Sequence, residues 1–69
     1  MARQNFHMTQ SREILFEFTA VGAVMKVVAI DAATGIEVMA MGPVHASRAD
    51  LQKLALAKLR RRLENSDSG

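Results

Sequence analysis

Hydrophobic and polar positions alternate along Glu13-Ile14-Leu15-Phe16-Glu17-Phe18-Thr19. Ile14, Phe16 and Phe18 fall on one side of an extended chain, and Leu15, Glu17 and Thr19 on the other. A period of two with aromatic residues predicts a strand. Ala20-Val21-Gly22-Ala23 then reads as a turn, with Gly22 free to take a positive φ. Val24 to Asp31 is rich in β-branched residues and predicts a second strand. Asp31-Ala32-Ala33-Thr34-Gly35 carries hairpin chemistry: the Asp can bond back to the turn amides, and the Gly suits a left-handed position. Ile36 to Met41 is the third strand, stopped by Gly42-Pro43 because proline cannot donate to a ladder.

If Ala33, Thr34 and Gly35 form a three-residue turn, Ile30 lies opposite Val38 and Val28 opposite Ala40. Those four then join Ile14, Phe16 and Phe18 on one face. The reverse face carries Met25, Val27, Ala29, Met39 and Met41, with Leu15 beside them. A one-residue change in the turn would exchange the faces of one strand relative to the other. In either register both faces stay largely apolar.

The helix has the clearest boundaries. Ser47-Arg48-Ala49-Asp50 fits a capping box in its acidic form. Asp50 suits the positive end of the helix dipole, and Lys58, Arg60, Arg61 and Arg62 suit the negative end. At about 100° per residue, Leu51, Ala55, Leu59 and Leu63 form one stripe, widened by Leu56, with Leu54 on its flank. The expected fold is therefore α+β: a three-stranded antiparallel meander followed by one C-terminal helix. The domain should occupy residues 13–64, between a flexible arm over residues 1–12 and a disordered tail over 65–69. No repeat or linker divides it.

One helix covers one face of a small sheet, so the second apolar face needs a partner. Size sharpens that point. A 69-residue chain that is 49% hydrophobic should fold, but one core of this size seldom supplies more than ~3–5 kcal/mol without disulfides, metal or oligomerisation. The chain has no cysteine and only two histidines. Oligomerisation is what remains, and a homodimer through Leu15, Met25, Val27, Ala29, Met39 and Met41 is the expectation. The lack of cysteine also fits a reducing cytoplasm. Ile14 to Ile30 is broken by Glu17, Gly22 and Lys26, which makes it a poor membrane span.

Candidate chemistry is sparse. His45 with Asp31 or Glu37 offers an acid–base pair only within hydrogen-bond reach, and the hairpin places them near opposite ends. Ser47 already has a role as helix cap. No phosphate loop or metal-protease pattern occurs, so neither catalysis nor a cofactor is expected. Met25, Met39 and Met41 could offer thioethers to copper(I), but apolar contact explains the same spacing. Nine Lys and Arg against seven Asp and Glu give a net charge of +2, a weak indicator of a polyanionic partner. Arg48, Lys53, Lys58, Arg60 and Arg61 are the residues that would meet nucleic acid phosphates. A solvated basic helix face explains them as well. The favoured reading is a small cytosolic interaction or regulatory module without catalytic activity; a nucleic-acid-binding module is the alternative.

The order strand–strand–strand–helix resembles the C-terminal two-thirds of the double-stranded RNA-binding domain. That family begins with a helix, whereas Met1 to Arg12 has no helical period. It also carries lysines at the start of its last helix, where this chain has Ser47, Arg48, Ala49 and Asp50. The likeness is topological and carries over no binding residue. A second resemblance rests on Ile30-Asp31-Ala32-Ala33-Thr34-Gly35-Ile36-Glu37-Val38, then Gly42-Pro43, then Ala46-Ser47-Arg48 and a Leu/Ala/Arg helix. This pattern is similar to a group of short alphaproteobacterial proteins and implies a domain of unknown function.

Overall fold

The computed structural model describes residues 2–7 as backbone and residues 13–68, with side chains over 13–65. Strand β1 spans Ala2–His7, β2 Glu13–Val21, β3 Val24–Asp31 and β4 Glu37–Pro43; helix α1 spans Arg48–Ser68. The three strands β2 to β4 form an antiparallel meander followed by the single C-terminal helix, an α+β fold. β1 pairs antiparallel with the outer side of β2, giving the sheet order β1-β2-β3-β4. Part of the stretch expected as an arm is thus a strand; Met1 and residues 8–12 lie outside the described residues. The helix likewise continues past Glu64 to Ser68, through most of the expected tail, and Gly69 lies outside.

The β2–β3 turn is tighter than the expected Ala20-to-Ala23 turn, because β2 runs on to Val21 and only Gly22 and Ala23 lie between the strands. Val21 pairs with Val24, and Gly22 adopts φ 60°, where a Cβ would be strained. The β3–β4 connection differs from expectation by one residue. Asp31 N–H donates to the Ile36 carbonyl at 2.9 Å and Gly35 N–H to the Asp31 carbonyl at 2.8 Å, with Gly35 at φ 77°. Asp31 Oδ2 accepts from Thr34 N–H at 3.1 Å and from Thr34 Oγ1 at 2.7 Å. Asp31 therefore belongs to the ladder, and residues 32–35 form the loop. Ile30 pairs with Glu37 and Val28 with Met39, in place of Val38 and Ala40.

Relative to β4 that single step moves the whole of β3 to the other face, and the Val21–Val24 pairing gives β3 the same face relative to β2. Phe16 lies beside Ala29 and Phe18 beside Val27, while Ala29 pairs with Val38 and Val27 with Ala40. Met25, Val27 and Ala29 are buried with Ile14, Phe16, Phe18 and Ala40 beneath the helix. The packing logic is a gradient of size: bulky rings on β2, smaller side chains on β3 and β4. The helix lies across β3 and β4, where the sheet is thin. Leu51, Ala55 and Leu59 are its buried stripe, with Leu56 and Leu63 half-buried beside them. At Gly42 a Cβ would stand 2.8 Å from Leu51 Cδ2, so this glycine permits the close approach of the helix start. Ser47 Oγ accepts from Asp50 N–H at 3.3 Å, the cap expected from sequence.

Candidate interaction surfaces

The uncovered face is built by the alternate residues of the same strands. Its cross-strand rows are Leu15–Ile30–Glu37, Glu17–Val28–Met39 and Thr19–Lys26–Met41. Leu15, Val28 and Ile30 are half-buried. Met39 is 45% exposed and Met41 59%. Five apolar side chains thus occupy neighbouring positions, with Glu17, Lys26 and Glu37 among them.

Of the six residues expected at this surface, Leu15, Met39 and Met41 are here. Met25, Val27 and Ala29 are not: the shifted register buries them at 4%, 0% and 0% exposure within their own protomer. Val28 and Ile30 take their places. The same shift puts Met25 on the opposite side of the sheet from Met39 and Met41, so the three thioethers cannot converge.

Both edges of the meander are engaged. β1 takes the outer side of β2. On β4, Lys58 Nζ donates to the Met39 carbonyl at 2.7 Å, and a lysine over an edge discourages strand addition.

The basic residues divide into groups. Arg48 lies over the Phe18 ring, 5.4 Å from its centroid, and so helps to close the core. Lys53 and Arg60 are exposed and, at ~100° per residue, point between about 80° and about 160° away from Lys58 and Arg61. Lys58 and Arg61 line a groove of about 410 Å³ between the helix and β4. Arg62 joins them, and Val38, Leu54 and Ala57 supply an apolar floor, with Asn65 completing the lining. Arg62 was legible only as a dipole partner. Leu54, 49% exposed, was the available signal, since it stands off the buried leucine stripe.

His45 is exposed beyond Pro43, and Asp31 is fully buried at the other end of β3. The intervening ladder, Val24–Pro43 to Ile30–Glu37, separates them by about 20 Å at ~3.4 Å per residue. They do not form a pair. Among the described residues no cluster of His, Asp and Glu has metal-binding geometry, and no helix is long and apolar enough to cross a membrane.

A short meander with one covering helix and an open, partly apolar face defines the class: a small α+β domain. Within that class the chain belongs to the family described as a domain of unknown function, DUF6898, whose model matches residues 11–66. No curated protein and no solved structure matches the chain.

Proposed function

We propose that this protein is a small non-catalytic interaction module that pairs with a second copy through the uncovered sheet face. The observation that carries the reading is the contiguous set Leu15, Val28, Ile30, Met39 and Met41 on the side the helix leaves open. Face pairing is favoured over pairing through the β4 edge because Lys58 lies over that edge. Charges of both signs on the face suit self-complementarity, since Lys26 of one copy can meet Glu17 or Glu37 of the other across a two-fold axis. A cytoplasmic location goes with the absence of cysteine, and the stretch from Val28 to Leu63 is similar to that of alphaproteobacterial proteins.

The test is solution mass by light scattering from low micromolar to near-millimolar protein. The parent should behave as a dimer, and the double variant Met39→Lys/Met41→Lys should be monomeric with unchanged far-ultraviolet dichroism. A parent that stays monomeric and stably folded throughout that range would remove the proposal.

Nucleic-acid binding is less well supported, because Arg48, Lys53, Lys58, Arg60 and Arg61 do not share one surface. The topological likeness to the double-stranded RNA-binding domain also weakens, since Ala2–His7 is a strand where that family places its leading helix.

A further inference from the structure

We infer that the groove between α1 and β4 is a docking site for an acidic protein segment bearing a bulky apolar side chain. Three observations converge there. Leu54 is a large apolar residue left 49% exposed on a helix whose other leucines are buried or half-buried. Beneath and beside it, Val38 and Ala57 continue an apolar floor. Around that floor stand Lys58, Arg61 and Arg62, and no acidic side chain is among the described residues that line it. Of the helix's acidic residues, Asp50 and Glu64 do not line the groove, and the Asp67 side chain lies outside the described residues.

Charge complementarity makes the occupant anionic, and the shape makes it a chain. The lining from Leu54 to Asn65 extends about 16 Å along the helix at ~1.5 Å per residue. A single anionic head group meets one part of such a row, whereas successive carboxylates can engage all three cations. Arginine presents a planar fork that matches a carboxylate through two parallel hydrogen bonds. Lys58 spends one donor on the Met39 carbonyl, and an ammonium has three. The apolar floor needs an apolar anchor. The groove's volume, about 410 Å³, is of the size of a ligand cleft.

The same features disfavour single-stranded nucleic acid. Stacking platforms need accessible aromatic rings, and no aromatic side chain is among the described residues that line the groove.

A random dodecapeptide library, displayed on phage and selected on the immobilised full-length protein, is the probe. Recovered peptides should carry at least two acidic residues flanking a Leu, Ile, Phe or Trp. Arg61→Glu should weaken the best of them by about tenfold or more, and Leu54→Ala should weaken it independently. Both positions are exposed, so dichroism should show the fold retained. The Met39→Lys/Met41→Lys variant should bind the same peptides, because the groove shares no side chain with the open sheet face; a failure of dimerisation and a failure of docking are therefore distinct results. Selection that yields no peptide, or peptides without acids, overturns the inference. So does binding indifferent to Arg61→Glu, or an oligouridylate of twelve nucleotides that binds more tightly than any recovered peptide.

Discussion

Val27 and Val28 are the same residue one position apart, yet they belong to different environments. Val27 lies between Phe18 and Ala40 and is fully buried beneath α1. Val28 lies between Glu17 and Met39 on the open face and is half-buried. Nothing in their chemistry separates them. What separates them is the pleat, which sends successive side chains to opposite faces, together with the placement of one helix. The covered face is closed by intramolecular packing. The open face presents Leu15, Val28, Ile30, Met39 and Met41 with Glu17, Lys26 and Glu37 set among them.

The largest expected effect lies in the covered face. Phe16→Ala removes a fully buried ring, costing about 3–5 kcal/mol. A domain of this size has no more than ~3–5 kcal/mol from its core, so the variant should show no cooperative thermal or urea transition. A transition within a few degrees of the parent would mean that the covered face is not the core.

The valine pair gives a more direct contrast. Val27→Ala should cost about 2 kcal/mol at every protein concentration, as a buried truncation does. Val28→Ala should cost less than about 1 kcal/mol in dilute protein, and more as concentration rises and the open face becomes engaged. Urea melts at two protein concentrations distinguish them; equal and concentration-independent losses would erase the difference between the faces.

A local effect is expected at the turn between β3 and β4. Thr34→Ala removes the hydroxyl that donates to Asp31 Oδ2 and accepts from Ile36 N–H. About 1 kcal/mol should be lost, and cross-strand nuclear Overhauser contacts should still link Val28 to Met39. Contacts between Val28 and Ala40 instead would show that this hydroxyl holds the register.

The three strands of the meander and the start and stripe of the helix were legible because each rests on local information. Alternation, β-branching, Gly22, the Asp31-to-Gly35 signal, the Ser47 cap and the Leu51/Ala55/Leu59 spacing all act within a few residues of chain. The continuation of the helix to Ser68 was not legible, since Asn65-Ser66-Asp67-Ser68 is weak in helix propensity. Nor was β1: Ala2–His7 lacks the alternation that announced β2, and its backbone finds pairing along the edge of β2.

The candidate surfaces were legible only in part. Leu15, Met39 and Met41 keep their face because Leu15 is out of phase with the phenylalanines on β2, and the two methionines are out of phase with Ala40 on β4. The placing of Met25, Val27 and Ala29 depended on two registers: the Val21–Val24 pairing against β2, and whether Ala32 joined the ladder or the loop against β4. The groove depended on where α1 crosses the sheet, which the size gradient from Phe16 and Phe18 to Ala29, Ala40 and Gly42 decides.

By itself the sequence determined which segments extend, where they turn, where the helix begins and which side of it seeks cover. Those choices are made by short-range sterics, hydrogen bonding and periodicity. The tertiary structure alone decided which of two adjacent apolar sets is buried, because register is a relation between strands: one residue taken into the loop inverts it. Close packing under the helix then selects the set whose small members let Leu51, Ala55 and Leu59 descend.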